Sequence, residues 1–188
     1  MSETNGTVMV RALRPRVDQK AAISAFSGGL GGVFRRATYG PVRSVAEVYV
    51  PFLPFDVTIR RPRGVERVVL GVDAVSATLD LYRFDAAASG DDLTHVRTRN
   101  HLPPGVSLSA AHDAIVVRVQ RLIYQRAGFL AAGRVHVEAA VAGDVISIPY
   151  WVGLLGRRET ASLVVMDGVR GQIEGAKVRR LIEGWLGE

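Results

Sequence analysis

Two stretches of the chain share a pattern of apolar and polar positions that predicts a pair of β-strands joined by a turn. In Val145–Glu174, an uncharged run of 12 residues leads to Arg157 and Arg158, and a second apolar run ends at Asp167. Val48–Asp80 is a looser copy in which similar features follow in the same order. The pattern therefore predicts a sheet unit that was built twice.

The spacing of matching residues supports this repeat. Pro51 and Pro149 lie 98 positions apart, whereas Asp73 and Asp167 lie 94 apart, so the second copy needs a hairpin loop four residues shorter. The alternative is that any two valine-rich strands ending in aspartate look alike, because β-branched residues are common in all strands. We expect a true tandem duplication.

Three segments are predicted to be helices. The first follows Pro15, which suits the start of a helix, and the other two carry apolar residues at the three- and four-residue intervals of an amphipathic helix. The three segments are Val17–Phe26, a segment from Ser107 or Ser109 to about Ala127, and the segment after Gly175. Either serine can accept a hydrogen bond from a first-turn N–H group, which makes it a suitable N-cap. We therefore expect three helices.

Strands are also predicted at Val33–Tyr39, Arg43–Val50 and Arg134–Val141. Helices and antiparallel strands thus come in blocks, which is typical of α+β proteins. The predicted fold is α+β, with antiparallel sheets and helices packed on one face, arranged as a tandem duplication of a helix-plus-three-strand unit. The predicted domains are an N-terminal tail at 1–14, a first unit at 15–86, a linker at 87–106 and a second unit at 107–188.

The end of the second stretch resembles a known module. After Pro149–Trp151, the run Met166–Ile173 (MDGVRGQI) is similar to the ending of PepSY-like and other cystatin-like α+β modules, and the resemblance covers residues 107–175. The first copy, Val72–Ala77, lacks the glycines. The resemblance implies a non-enzymatic module, exported or membrane-linked, that engages other proteins.

Composition narrows the classes of function. The chain has 188 residues, a formal net charge of +6 and no cysteine, and all but two of its 24 basic residues are arginine. The lack of cysteine excludes disulfides, thiolate metal sites and cysteine nucleophiles. Arginines spread along the chain favour attraction to a polyanion, whether an acidic protein, an anionic lipid surface or a nucleic acid.

Ala21–Phe34 is an uncharged segment of 14 residues with basic residues on both sides. It is shorter than the roughly 20 residues of a membrane-spanning helix. Its basic flanks resemble those of an export signal. Its four glycines and its distance from Met1 are not typical of such a signal. We expect a cytoplasmic protein, with a membrane-peripheral location as the variant.

No residue pattern predicts catalysis or a bound cofactor. The glycines of Ser27–Gly32 lack the surroundings of a phosphate loop, and the four histidines lack the spacing of a metal motif. Asp73 and Asp167 could form a pair of carboxylates, but an aspartate at a strand end more often bonds the backbone of its own turn. We expect no enzyme, no cofactor and no metal site.

Aromatic residues and arginines gather at the two repeated stretches. These residue types are enriched at the energetic centres of protein interfaces, so a partner protein is the expected ligand. An anionic membrane surface is a variant, and the alternative is a nucleic acid whose bases would stack on the same rings. The predicted interface consists of Phe52, Phe55, Arg60, Arg61, Tyr150, Trp151, Arg157 and Arg158.

Overall fold

The computed structural model describes residues 6–28, 33, 37–62, 64–84, 90–127, 135–156 and 161–187. In chain order its elements are β1 (Val8–Leu13), α1 (Gln19–Ser27), β2 (Val42–Arg61), β3 (Gly64–Asp73), β4 (Tyr82–Phe84), a 3₁₀ turn (Gly90–Asp92), β5 (Leu93–Thr98), α2 (Leu108–Ala127), β6 (His136–Val141), β7 (Ile146–Leu155), β8 (Ser162–Asp167) and α3 (Ala176–Leu186).

The eight described strands form one mixed sheet. The strand order is β4-β3-β2-β7-β1-β5, with β6 beside β2 and β8 beside β7. β1 runs parallel to β7, whereas the pairs β2–β3, β2–β6, β3–β4 and β7–β8 are antiparallel. The α+β class is therefore confirmed, with a sheet that is mostly antiparallel.

The contacts within the chain divide it into two compact units, each assembled from separate segments. We call them unit I and unit II. β2 contributes its first part to unit I and its second part to unit II. Unit I contains Met1–Val50, Thr94–Leu102 and Ser147–Glu188, and unit II contains Pro51–Leu93 and Pro103–Ile146.

The core of unit II lies between α2 and the sheet. Alternate residues of β2, namely Phe55, Val57 and Ile59, pack with Ile115 and Val119 of α2. The alternation arises because successive side chains of a strand point to opposite faces, and a four-residue interval keeps the helix residues on one face. Full burial of one such side chain contributes about 1.5–3 kcal/mol.

The core of unit I lies between α1 and the β7–β8 hairpin. Ala22 and Phe26 of α1 are fully buried, and they pack with Leu155, Val164 and Met166 of the two strands. The four-residue interval between Ala22 and Phe26 places both on one face of the helix. α1 is thereby fixed to one face of this hairpin.

Gly153 allows the close approach of α1 to β7. A Cβ atom at this position would lie 2.7 Å from Cδ2 of the Phe26 ring and 3.0 Å from Cγ1 of Val164. These distances are shorter than van der Waals contact, so any larger residue would displace the ring or the strand.

α3 packs against β8 in the same unit. Val178 and Ile182 are its buried side chains, whereas Lys177, Arg179 and Arg180 are exposed. The helix therefore has the amphipathic arrangement that its sequence predicts.

Two segments, Val33–Tyr39 and 87–106, contain secondary structure that the sequence did not predict. Val33–Tyr39 was expected to be a strand, and this is wrong, because Val33 and residues 37–39 are helical. A run of seven residues is too short for periodicity to separate a helix from a strand. The predicted linker, 87–106, includes the 3₁₀ turn and β5, and the predicted division into 15–86 and 107–188 stays a prediction.

Candidate functional site

Asp73 holds the turn that follows β3. The residue is fully buried. Its Oδ1 accepts hydrogen bonds from the N–H groups of Ser76 (2.8 Å) and Ala77 (3.0 Å) and from the Ser76 hydroxyl (3.0 Å). Its Oδ2 accepts one from the N–H group of Leu79 (2.8 Å). Arg118 of α2 donates to the carbonyl oxygens of Ala77 and Leu79, so side chains on both sides of the turn fix it.

Asp167 holds the turn that follows β8, and it is also fully buried. Its Oδ1 accepts hydrogen bonds from the N–H groups of Val169 (2.7 Å) and Arg170 (2.9 Å). Its Oδ2 has no hydrogen-bond partner in the described part of the chain and lies 3.9 Å from Nε of Arg170. The turns that the two aspartates orient explain their burial, which favours the structural interpretation over a catalytic one.

The two turns occupy the same place in their hairpins. Asp73 is paired with Phe52 across the β2–β3 hairpin, and Asp167 is paired with Tyr150 across the β7–β8 hairpin. Both aromatic residues directly follow a proline.

The backbone bonds of the two turns match as well. The N–H group of Ala74 donates to the carbonyl oxygen of Pro51 at 2.8 Å, and that of Gly168 donates to the carbonyl oxygen of Pro149 at 2.8 Å. In each case the residue after the aspartate is tied to the proline of the facing strand.

The fourth residue after each aspartate has a left-handed backbone. Ala77 has φ +52° and Gly171 has φ +70°. The N–H groups of these residues donate to the carbonyl oxygens of Asp73 (3.2 Å) and Asp167 (2.8 Å), respectively. The two turns thus share these backbone hydrogen bonds and the left-handed residue, although the N–H groups that the two aspartate side chains accept from differ in part.

Three rings of the predicted interface belong to the core of their units. Phe52, Phe55 and Tyr150 are 1%, 0% and 2% exposed. The Phe52 ring lies 5.6 Å from that of Tyr82, and the Phe55 ring lies 6.3 Å from that of His112. This burial does not support direct contact between these three rings and a partner.

Trp151 is half-buried in unit I. Its Nε1 donates to the carbonyl oxygen of Val17 at 2.8 Å, and its ring packs beside the core formed by α1, β7 and β8. The indole therefore ties the segment before α1 to β7, which is a structural role of its own.

The predicted interface arginines of the first hairpin are exposed and paired. Arg60 contacts Glu138 at 3.4 Å and Arg61 contacts Glu66 at 3.2 Å, with about half of each side chain exposed. Exposed pairs of this kind contribute about 0–1 kcal/mol. Arg157 and Arg158 lie outside the described residues.

Charge is distributed unequally between the units. Among the described residues, unit I has 11 arginines and lysines against 5 aspartates and glutamates, whereas unit II has 7 against 9. The formal charges are therefore +6 for unit I and −2 for unit II. This difference in charge is not apparent from the sequence, because the segments of the two units alternate along the chain.

Six arginines of unit I are exposed and form no ion pair with a described residue. His95, Arg97 and Arg99 occupy alternate positions along β5 and directly after it, so their side chains lie on the same side of the strand. The N–H group of Arg16 donates to the carbonyl oxygen of Gly168 at 2.9 Å, which places Arg16 beside the Asp167 turn. The six are Arg14, Arg16, Arg43, Arg97, Arg99 and Arg180.

A second polar cluster of unit I was not predicted from the sequence. Tyr49 is buried, and this burial, together with a hydrogen bond to the Glu47 carboxylate, raises the pKa of Tyr49 well above its ordinary value. Tyr49 pairs with His101, which lies on the chain after β5. Oε1 of Glu47 and Nδ1 of His101 are buried and have no hydrogen-bond partner within the described residues. In the sequence, Glu47 looks like an ordinary exposed position of a strand.

A groove lies on the unit II sheet. It has a volume of about 570 Å³, and its lining includes Asp56, Thr58, Arg67, Val69 and Phe84. The strand register places Asp56, Val69 and Phe84 side by side. Because Asp56 and Arg67 are exposed, the groove is a shallow, polar part of the surface.

The described residues include no group of three or more histidine, aspartate or glutamate side chains that could hold a metal ion. None of the described helices is both long enough and apolar enough to cross a membrane. No protein-family model, curated protein or solved structure matches the chain.

Proposed function

We propose that this is a non-enzymatic binding or assembly protein that engages an acidic partner protein through the exposed arginines of unit I. The observation that carries the proposal is the charge of +6 on the described residues of that unit, with six exposed arginines that form no ion pair there. A guanidinium group donates a planar pair of N–H bonds that fits a carboxylate, so acidic side chains are suitable partners.

The strength of such an interface is limited by solvent. Each exposed pair contributes about 0.5 kcal/mol, so six pairs alone correspond to millimolar affinity. Other contacts must add to them, and the charge acts chiefly by speeding association and orienting the partner. The proposal therefore implies binding that weakens as the salt concentration rises.

The positive charge of unit I would also attract a nucleic acid or an anionic membrane surface. A nucleic acid would also need rings on which bases can stack. The candidates are Tyr49, Phe52, Phe55, Tyr150 and Trp151, and all of them except Trp151 are buried. An anionic membrane surface would need only the charge, which makes a peripheral subunit of a membrane complex the variant of the proposal. Both are outcomes of the following experiment.

The test compares three probes of similar charge by fluorescence anisotropy: a glutamate-rich peptide, a single-stranded oligonucleotide, and vesicles containing phosphatidylserine. The informative variant carries Arg97→Glu and Arg99→Glu in unit I. Its matched control carries Arg67→Glu and Arg121→Glu, two exposed arginines of unit II with the same change of charge.

We expect the dissociation constant of the peptide to rise about tenfold in the unit I variant, since two pairs become repulsive at about 0.5–1 kcal/mol each, and less than twofold in the control. Tighter binding of the oligonucleotide or of the vesicles would favour one of the other polyanions. Equal losses in both variants, or no binding of any probe, would contradict the proposal.

We further propose that the two hairpins arose by tandem duplication. The support is the agreement between them in two features: the strand register, which pairs the aspartate with the residue after the proline and ties the next residue to that proline, and the left-handed residue four positions after the aspartate. Either of these recurs in unrelated hairpins, but their combination at matching positions favours common origin.

A further inference from the structure

Two of the helices, α1 and α2, pack on strands that lie beyond the middle of the chain. α1 belongs to the first half, up to Phe84, yet it packs on β7 and β8 of the second half. α2 belongs to the second half, from Gly90 onwards, and it packs both on β6 of its own half and on β2 and β3 of the first half. Each hairpin thus receives its helix from the other half of the sequence.

The strands show the same exchange. β6 of the second half pairs with β2 of the first half, from Phe55 with Val141 to Arg60 with His136. Gly156, just after β7, donates its N–H group to the carbonyl oxygen of Pro41, just before β2, at 3.0 Å. Each hairpin is therefore covered by a helix and flanked by a strand that come from the opposite half of the chain.

We infer that each half of the chain is an incomplete unit whose partner is the complementary half, and that a second copy of this chain can supply that partner. Removing the other half would expose Leu155, Val164 and Met166 on one hairpin, and Phe55 and Val57 on the other. An exposed apolar face of this kind is what domain swapping covers between identical chains. The inference stands on these contacts and does not depend on the acidic partner proposed above.

The test starts from the full chain. A specific protease site is inserted between Phe84 and Gly90, and the folded protein is cleaved there. The uncleaved variant serves as the folding control, because its circular dichroism and melting curve should match those of the unaltered protein. A second variant carries the site in a longer glycine-serine insertion, in case the first insertion disturbs folding.

We expect the two pieces to stay together after cleavage, with the mass of the intact protein by light scattering and with an unchanged circular dichroism spectrum. Cleaved protein labelled with heavy nitrogen is then mixed with unlabelled cleaved protein, unfolded in guanidinium and refolded. Native mass spectrometry should detect mixed pairs in about half of the complexes, as random pairing of equal amounts requires.

Two results would overturn the inference. Pieces that separate under native conditions would show that the halves do not hold one another. Pieces that stay together but never form mixed pairs would show that a second copy cannot replace the original partner. Neither result bears on peptide binding, so failure of this inference is distinguishable from failure of the proposed function.

Discussion

A single left-handed residue closes the turn after each buried aspartate. In the first turn it is Ala77 and in the second it is Gly171. A residue with a Cβ atom is strained in this conformation by about 1–2 kcal/mol, whereas glycine is not. The two turns therefore have the same left-handed conformation at this position with different residues, and alanine is the less favourable of the two.

Exchanging the two residue types should change stability in opposite directions. Ala77→Gly should raise the free energy of unfolding by about 0.5 kcal/mol, because the relief of strain exceeds the entropy of a more flexible unfolded chain. Gly171→Ala should lower it by about 1 kcal/mol, and its Cβ atom would lie 3.3 Å from Cγ2 of Val17. Urea denaturation measures both values.

Gly184→Ala in α3 is the matched control, because a Cβ atom there has no neighbour within 4 Å. It should raise the free energy of unfolding by up to about 1 kcal/mol, since alanine is the better helix former. If Gly171→Ala were neutral, or if Ala77→Gly destabilised the protein, the left-handed conformation would not be the controlling factor at these positions.

Tyr49 should make the protein sensitive to alkaline pH. Its ordinary pKa is 10.0, and burial and Glu47 raise the pKa in the folded state well above that value. Above about pH 10 the unfolded chain loses this proton while the folded chain keeps it, so the free energy of unfolding falls by up to about 1.4 kcal/mol per pH unit. Below pH 10 this contribution is fully present.

The prediction is tested with Tyr49→Phe, followed by urea denaturation between pH 8 and pH 11. The variant should be less stable than the unaltered protein at pH 8, because Glu47 loses a partner, but it should decline less steeply above pH 10. Tyr39→Phe, at an exposed tyrosine, is the control and should keep the original slope. An equally steep decline in the Tyr49→Phe protein would contradict the assignment.

At the scale of elements, the uncharged run of β7 is explained by burial on both faces. Eight of its ten residues from Ile146 to Leu155 are buried, whereas a ribbon that binds a partner would leave one face exposed. α1 packs on the face that carries Leu155, and α3 packs on the neighbouring strand β8. A continuous apolar run is typical of a strand covered on two sides, whereas the interface prediction treated the run as a surface for a partner.

Local sequence predicts some features of the fold but not the contacts between residues far apart in the chain. The hairpins, the helices after Val17 and Ser107, and the aspartate turns follow from periodicity and turn chemistry, which act between near neighbours. The bond from Arg118 to the Asp73 turn joins residues about 40 positions apart, and the packing of Phe26 on Val164 joins more distant ones. Nothing in a local pattern specifies such pairs.

The two hairpins are covered differently on the side away from their crossing helix. After the Asp73 turn the chain continues as β4, whose Phe84 ring fills the space above Gly71, 2.8 Å from where a Cβ atom would lie. After the Asp167 turn it continues into α3 on β8. The sequence predicted this divergence in part, through alternation around Tyr82 and helical spacing after Gly175.

At the scale of the whole molecule, the packing of α1 and α2 on strands of the other half determines which hairpin a destabilising substitution weakens. A substitution that loosens α1 should weaken the hairpin of the second half, and one that loosens α2 should weaken the hairpin of the first half. A chain folded as two successive domains would show the opposite pattern. Amide hydrogen exchange distinguishes the two, because it reports local opening segment by segment.

Phe26→Leu and Ile115→Val are the matched pair of substitutions, since both keep an apolar side chain and remove part of a fully buried one. A cost of about 1 kcal/mol raises the population of the opened state about fivefold. We expect Phe26→Leu to accelerate exchange mainly in β8 and Ile115→Val to accelerate it mainly in β3, as measured by mass spectrometry of peptides covering 162–167 and 64–73. Acceleration in the hairpin of the same half, or equal acceleration in both, would mean that each half is stabilised chiefly by itself. Faster exchange in the hairpin of the opposite half would instead require that neither half reaches its native stability until the other has folded onto it.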